Sequence, residues 1–278
     1  MESDRGIRSP VRKPGTLEMG LALGLALLAG CGPSPDEAAL ARGLGYFASE
    51  VSQVDPGWAN LFGYMHRRFG LEAWNASGAA LHEVPLDQAR PEMAAVFRRL
   101  VDPSAGISAA RIAALPAVID RITATGLHCD RIGLPRDWVS VLSEASRLGG
   151  YALTHAAVAG EWSVENGCIP RTEIGPLQAV QIDRLTDLAS DAKPLDRDAP
   201  GSLDRWVEAL VTLHYLGAGE RVPAHWVKAL VAAQRSDGGW PNRPRAATSD
   251  PHTTALALWV LLEATRPGTP AIRWVPAP

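Results

Sequence analysis

Hydrophobic residues recur along most of the chain at intervals of three and four, the spacing of one face of an α-helix. Helix-capping residues, prolines and glycines separate these stretches. The segment Ser34-Pro35-Asp36-Glu37 is typical, because it places a capping serine before a proline and an acidic residue three positions later. No stretch alternates apolar and polar residues for long enough to predict a strand. The pattern therefore predicts an all-α fold of about ten helices.

The predicted helices follow one another closely. The first runs from Ser34 to about residue 52, and a second continues after Pro56-Gly57. A kink is expected at Pro116, and Gly126 is expected to lie just past the end of its helix. The second is expected at 58–69, and the remaining helices of this part are expected at 90–101, 108–124, 137–148, 150–161 and 174–190.

The clearest helices lie in the C-terminal third. One starts at Ser202 with an apolar side, and the next opens at Pro223 after a connection short enough to predict an antiparallel pair. Asp250 caps a final helix whose residues are apolar nearly all round, which is typical of a buried element. Paired helices with one buried member indicate two concentric layers, an α/α toroid built from helical hairpins. An irregular helical bundle is the alternative.

Composition narrows the class of protein. Of the 278 residues, 46% are hydrophobic and 21% charged, which indicates a globular domain over residues 36–278. The net charge is −3, so the basic excess of a nucleic-acid-binding surface is missing and no nucleic-acid partner is expected.

The N-terminal region predicts where in the cell the protein is located. Residues 21–30 read LALGLALLAG and follow several basic residues, and a stretch this short fits a secretory signal rather than a membrane span of roughly 20 residues. Leu28-Ala29-Gly30-Cys31 resembles a bacterial lipobox. This resemblance implies cleavage after residue 30, lipidation of Cys31, a tether over 31–35 and an acyl anchor in the membrane of the cell envelope, on its periplasmic or extracytoplasmic face. A plain signal peptide with a chance cysteine is the alternative.

Two cysteines remain once residues 1–30 are removed and Cys31 is lipidated. In an oxidising compartment Cys129 and Cys168 could form a disulfide, or both could stay reduced and buried, and the sequence leaves this open. Cys129 stands between His128 and Asp130, but adjacent side chains on an ordered element point apart. We therefore predict no metal site there.

One motif resembles a known family. Gln234-Arg235-Ser236-Asp237-Gly238-Gly239-Trp240 fits the pattern Q-x-x-x-G-x-W and is similar to the QW repeat of the prenyltransferase and squalene-hopene cyclase superfamily. The resemblance covers residues 201–266 and implies an α/α toroid in which the motif is structural. The Gln234 amide would bind free backbone groups, Gly238 and Gly239 would permit a tight turn, and Trp240 would fill the gap between hairpins.

The catalytic motifs of that superfamily are incomplete. The Asp-rich motifs D-x-D-D and D-D-x-x-D do not occur. His252 in Asp250-Pro251-His252-Thr253 looks like part of the zinc site of protein prenyltransferases. The other part of that site is an Asp-x-Cys pair, and here Trp206 stands two residues after Asp204, where the cysteine ligand would be needed. A catalytic zinc site requires three protein ligands, so we predict neither a metal nor a cofactor.

Candidate chemistry lies in two segments. Tyr151 and His155 are four residues apart and share a helix face, and Glu161 follows toward the end of the same helix. His252 lies in the first turn of the buried helix, beside Asp250. A histidine, a tyrosine and a carboxylate that converge could transfer protons. The alternative is that both histidines are structural.

These observations predict a lipid-anchored envelope protein whose toroid encloses a cavity for an apolar or glycan-like small molecule, with or without turnover. Whether the protein is an enzyme is left open. The alternative is a non-catalytic lipoprotein that acts as a scaffold for other envelope proteins. Nine tryptophans against four phenylalanines fit either function, because tryptophan lines cavities and anchors interfaces.

Overall fold

Helices account for the regular structure of the part of the chain that the structure describes. The computed structural model describes residues 33–52, 56–82, 96–191 and 198–276, and the predicted signal peptide and Cys31 lie outside these ranges. Within them the chain is all-α, as predicted, with ten α-helices and no strand. A single antiparallel bridge joins Trp74 to Ala80. The described residues from Pro35 onward belong to one compact unit.

The helices are numbered in chain order. They are α1 (Pro35–Glu50), α2 (Pro56–Phe69), α3 (Ala109–Ala113), α4 (Val118–Ile132), α5 (Trp138–Leu148), α6 (Gly150–Glu165), α7 (Arg171–Ser190), α8 (Ser202–Tyr215), α9 (Ala224–Ala232) and α10 (Pro251–Thr265). Two 3₁₀ turns, Arg98–Leu100 and Gly219–Arg221, lie between them.

Two predicted caps are confirmed. The Ser108 hydroxyl accepts a hydrogen bond from the backbone N–H of Arg111 at 3.3 Å, and the Asp250 carboxylate accepts one from Thr253 N–H at 2.8 Å. Each bond satisfies one of the free N–H groups in a first helical turn. The cap at Asp250 fixes where α10 begins, and so places His252 in its first turn.

The prediction for 108–124 is wrong in two respects. Pro116 separates two helices, α3 and α4, instead of kinking one. Gly126 lies inside α4, which continues to Ile132. A Cβ atom at Gly126 would lie 2.4 Å from the carbonyl oxygen of Ala159, so glycine is needed there because α4 and α6 approach closely.

Four helices, α4, α6, α8 and α10, run parallel to one another. Hydrogen bonds join the first turns of α6 and α8 through Tyr151 and Asp204, and the last turns through Glu165 and Tyr215. In the pairs α4–α6 and α8–α10, residues that come later in one helix likewise contact residues that come later in the other. The contacting residues are Thr123 with His155, Leu127 with Asn166, Asp204 with Thr253, and His214 with Glu263.

Helix α2 follows the same direction beside α10. Tyr64 stacks on Trp259 with ring centroids 4.3 Å apart, and one turn later Arg68 pairs with Glu263. Helix α10 is buried on every side from Thr253 to Leu262, as its apolar sequence predicts.

The predicted antiparallel pair is not a close pair. Helix α8 packs against α6, α7 and α10, whereas α9 packs against α1 and α10. The connection between them contains the 3₁₀ turn Gly219–Arg221, which adds a change of direction that a simple hairpin turn would lack. Helix α8 therefore packs on α7, the helix that precedes it, rather than on α9.

Cys129 and Cys168 form a disulfide, with Cα atoms 6.1 Å apart, which ties α4 to the loop before α7. The neighbours of Cys129 face other partners. His128 Nε2 lies 2.8 Å from the carbonyl oxygen of Val96, and Asp130 pairs with Arg99. The three adjacent side chains thus diverge, as the sequence predicts.

Candidate functional site

A cavity of about 210 Å³ lies among the parallel helices. An apolar cavity of about 150 Å³ is large enough to hold benzene, so this one has room for a somewhat larger molecule. Most of its wall area is apolar, although half of the lining residues carry a hydroxyl, amide, imidazole or carboxyl group. The lining residues are Asn60, Leu61, Phe97, Thr123, His155, Val158, Trp162, Glu208, Val211, Thr212, Tyr215, His252, Leu256 and Trp274.

The histidines and the carboxylate that line the cavity gather at one end, toward the first turns of α6, α8 and α10. We call this group the polar end; it consists of Tyr151, His155, Asp204, Glu208 and His252. Of these, His155, Glu208 and His252 line the cavity. Tyr151 reaches the group through the carboxylate of Asp204.

Asp204 is the centre of the polar end. Its carboxylate accepts hydrogen bonds from the Tyr151 hydroxyl at 2.7 Å and the Thr253 hydroxyl at 2.7 Å, and lies 3.0 Å from Nδ1 of His252. Burial by itself would raise the pKa of Asp204, but the bond to His252, the His252 charge and the two hydroxyls lower it overall. Asp204 is therefore an anion that fixes the orientation of the His252 ring.

His252 is held in its cationic form. Burial favours the neutral ring, but the hydrogen bond to Asp204 and the negative charges of Asp204 and Glu208 raise the pKa of His252 to about 9. Its side chain is still 38% exposed. Because Nδ1 faces Asp204, Nε2 is the nitrogen that is left to donate a hydrogen bond to a ligand.

His155 and Glu208 form a second pair. Nε2 of His155 lies 3.5 Å from Oε1 of Glu208, and the Thr154 hydroxyl lies 2.5 Å from the same oxygen. Burial, together with the charge of Asp204, raises the pKa of Glu208 to about 7 against the opposing effects of His252 and Thr154. Burial also lowers the pKa of His155 to about 4. Near neutral pH, His155 is therefore neutral and Glu208 is partly protonated.

Thr123 fixes the tautomer of His155. The Thr123 hydroxyl lies 2.7 Å from the carbonyl oxygen of Ile119, to which it donates, and 2.8 Å from Nδ1 of His155. A hydroxyl has one proton, so Nδ1 of His155 carries its own proton and donates it to Thr123. The lone pair of His155 is thus on Nε2, on the side of Glu208.

The structure brings together only some of the predicted acid–base residues. Glu161 is not at the polar end: its carboxylate pairs with Arg171 and accepts a hydrogen bond from Gln178 at 2.7 Å. It lies on the side of α6 that faces α7. Asp250 acts as the cap of α10 and lies next to the polar end: the Thr253 hydroxyl is 3.1 Å from its carboxylate, and its negative charge helps to raise the pKa of His252.

The residues that the sequence analysis missed are Glu208, Thr123 and Thr154, and Asp204 entered it only as part of an incomplete zinc motif. A signal was available, because Asp204 and Glu208 are four residues apart on the otherwise apolar side of α8. Two acids at that spacing on a buried face repeat the Tyr151 and His155 pattern of α6.

Two groups of side chains could offer ligands to a metal ion within the described residues: His66 with Glu72 and His82, and Asp204 with Asp250 and His252. In the second group the ligand atoms already bond one another and the Thr253 hydroxyl. A cation would have to replace these bonds. The geometry fits a hydrogen-bonded ion pair, so no metal enters the chemistry described below.

The QW-like motif joins α1 to the turn before α10. The Gln234 amide donates to the carbonyl oxygens of Ala39 and Gly238, both at 2.8 Å. Gly238 has a φ of 90°, and a Cβ there would lie 2.3 Å from the carbonyl oxygen of Arg42. Gly239 is as tightly enclosed, since its Cβ would lie 2.5 Å from Ser249.

Trp240 is fully buried, and its indole N–H donates to the carbonyl oxygen of Leu230 at 2.7 Å. The backbone N–H of Trp240 donates to the Thr254 hydroxyl in α10. None of the motif residues lines the cavity. The motif therefore has a structural role: it fixes α1 and the start of α10 to each other and contributes no residue to the polar end.

Comparison with known proteins identifies no relative. No family model, no curated protein and no solved structure matches the chain. Among the described helices, none is long and apolar enough to cross a membrane. The function must therefore be inferred from the cavity itself.

Proposed function

We propose that the protein binds a small molecule with an apolar body and one polar group, and transfers a proton at that group. The convergence of His155, Glu208 and the Asp204–His252 pair at one end of an otherwise apolar cavity carries this proposal. Concave, largely apolar pockets with a few convergent polar groups of shifted pKa are the usual form of small-molecule sites.

The lining favours an apolar ligand over a glycan-like one. A sugar presents hydroxyl groups on every side, and each would need a partner in the wall. Leu61, Val158, Val211 and Leu256 offer none. A ligand with one carbonyl or hydroxyl group at its head matches the cavity, because His155, Glu208 and His252 lie together at one end.

The polar end can supply both halves of a proton transfer. His252 Nε2–H would donate to the oxygen of the ligand, while the carboxylate of Glu208 would accept a proton from the ligand. Asp204 and Tyr151 would act as positioning residues, since they hold the His252 ring. An acid of pKa near 9 beside a base of pKa near 7 suits general acid–base catalysis at neutral pH.

The setting of the cavity is part of the proposal. We infer that the chain is an envelope lipoprotein anchored through Cys31, which the lipobox-like Leu28–Cys31 sequence supports. We also infer that the helices form an α/α toroid, and the parallel run of α2, α4, α6, α8 and α10 around one cavity supports this architecture. Conversion of Cys31→Ser should release the protein from the membrane fraction.

The ligand-binding proposal is tested with the full chain carrying Cys31→Ser, which keeps detergent out of the sample. Displacement of the fluorescent probe aminoanthracene is measured with n-octanol, octanal and glucose. We expect the first two to displace the probe and glucose to fail. Val158→Phe, which fills the cavity, should abolish binding, whereas Val139→Phe, in a separate cluster of the core, should not.

Two results would overturn the proposal. If neither n-octanol nor octanal displaces the probe, the cavity is not a site for apolar ligands and the scaffold alternative gains. If both variants bind equally well, the ligand binds elsewhere on the surface. For proton transfer, the measurement is deuterium exchange at the carbon beside the carbonyl of octanal, which Glu208→Gln should abolish.

A further inference from the structure

The cavity ends opposite the polar end in a layer of aromatic rings. Trp162, Tyr215 and Trp274 line this end. Trp274 is 6% exposed, and its ring centroid lies 5.3 Å from those of both Trp162 and Tyr215. It also packs against Tyr64 and Trp259, at 5.5 and 5.1 Å. We call this aromatic end of the cavity the floor. Trp274 is its central ring, because it contacts all four of the other rings.

Trp274 belongs to a segment after α10 that we call the C-terminal strap, residues 266–276. The strap contacts the last turns of α2 and α6. The carbonyl oxygen of Thr269 lies 3.4 Å from Arg68 and that of Trp274 accepts from Arg67 at 2.7 Å, both in α2, and the backbone N–H of Trp274 donates to Glu165 in α6. The strap follows α10 directly and contains no helix, unlike the helices that form most of the cavity wall. The strap is therefore a separate part that covers one end of the cavity.

Glu165 fixes the strap at the level of the floor. Its carboxylate accepts the backbone N–H groups of Trp274 and Val275, both at 2.9 Å, and the Tyr215 hydroxyl at 2.7 Å. Arg273 donates to the backbone carbonyl of the same glutamate. With its backbone held on both sides, the indole of Trp274 has a defined height in the cavity.

The distance between the two ends follows from the helix geometry. His155 and Trp162 are seven residues apart on α6, and Glu208 and Tyr215 are seven apart on the parallel α8. Seven residues of α-helix rise about 10.5 Å. A ligand whose head lies at the polar end therefore meets the aromatic floor after about 10 Å.

We propose that Trp274 is the residue that determines specificity for ligand length: its indole forms the floor that limits the longest apolar body the cavity accepts, and Glu165 is the positioning residue that sets its height. This inference rests on the proposed function. In this proposal the strap limits the length of the ligand and takes no part in proton transfer.

The test measures affinity along the series from n-hexanol to n-tetradecanol, by displacement of aminoanthracene from the Cys31→Ser chain. Each methylene that enters an apolar site raises affinity roughly fourfold. In the wild type this rise should stop at a chain length set by the floor. Trp274→Ala should move the stop to chains longer by about two carbons, since an indole is a large group to remove.

Two variants control for loss of packing. Trp274→Phe keeps a ring in the floor and should shift the stop by less than Trp274→Ala. Trp138→Ala removes an equally buried tryptophan from a separate cluster of the core, and should leave the stop unchanged although it also lowers stability. If Trp274→Ala does not fold, the comparison of Trp274→Phe with the wild type carries the test.

The outcomes separate the two proposals. If no alkanol binds the wild type, both the proposed function and this inference fall. If alkanols bind with a stop that neither Trp274 variant moves, the binding function stands and the floor assignment is wrong. If Trp138→Ala moves the stop as far as Trp274→Ala does, the shift reflects general loosening, and the assignment is again wrong.

Discussion

A tyrosine–carboxylate pair joins α6 to α8 at each end of the two helices, but the two pairs have different roles. At one end the Tyr151 hydroxyl bonds Asp204, and at the other the Tyr215 hydroxyl bonds Glu165, both at 2.7 Å. The other donors to Glu165 are backbone N–H groups, so this carboxylate holds a segment of chain. Asp204 instead faces the titratable ring of His252.

This difference teaches how to separate a structural carboxylate from a functional one when both are withdrawn from water. Burial raises the pKa of Glu165 as it does that of Glu208, so the direction of the shift does not distinguish them. The partners do. Three donors saturate Glu165, whereas Glu208 has one hydroxyl and a neutral histidine beside it and borders an open cavity.

The largest effect on stability is expected at the structural end. Glu165→Ala leaves two backbone N–H groups and the Tyr215 hydroxyl without their acceptor, which should lower the free energy of unfolding by about 3 kcal/mol. Urea denaturation measures this. The exposed Glu144→Ala should change it by less than about 0.5 kcal/mol. Equal effects of the two variants would break the distinction between the two ends.

The next effect concerns the charge on His252. Asp204→Asn removes the partner that outweighs burial, so the pKa of His252 should fall from about 9 by about two pH units. A raised histidine pKa stabilises the fold below about pH 6.5, and this stabilisation is lost as the pH rises through 9. NMR titration of the His252 ring measures the change, with exposed His225 as an internal reference. A His252 pKa that stays near 9 would remove Asp204 from its positioning role.

Glu208 should reveal itself by the pH dependence of stability. Its pKa is about 7 in the folded protein and near 4.3 in an unfolded chain. The folded state therefore binds the extra proton in this interval, and stability should fall as the pH rises from about 4.5 to 7, by on the order of 2 kcal/mol. Glu208→Gln should lack this fall when melting is followed across the same range. An unchanged profile would mean that Glu208 is ionised throughout.

The smallest effects sharpen the comparison of the two tyrosines. Tyr215→Phe and Tyr151→Phe each remove one hydroxyl and should each cost about 1 kcal/mol in chemical denaturation. Only Tyr151→Phe should alter the pKa of His252, because its hydroxyl shares the Asp204 carboxylate. A shift of the His252 pKa in Tyr215→Phe would show that the two ends are coupled.

Local signals in the sequence predicted local structure well. The Asp250 cap and the apolar run after it predicted α10 and its burial, since both depend on residues within one or two turns. The i, i+4 spacing likewise predicted that Tyr151 and His155 share a face. The choice of partner across helices was harder. Glu161 was expected near His155, but the α7 residues Arg171 and Gln178 face it instead.

Gly126 is a second case in which a contact between helices could not be predicted from the local sequence. A glycine near the end of a periodic stretch predicts a helix terminus, and nothing within α4 says otherwise. The reason for the glycine is the backbone of Ala159, which is distant in sequence and close in space. The floor at Trp274 also arises from a non-local contact, with Glu165 more than a hundred residues earlier.

The common direction of the helices around the cavity has an electrical consequence. Each α-helix carries a dipole equivalent to about half a positive charge at its first turn and half a negative charge at its last. Because five of them point the same way, their fields add along the axis of the cavity instead of cancelling. The first turns are therefore the electropositive end of the cavity, and they favour the electron-rich group of an elongated polar ligand at that end.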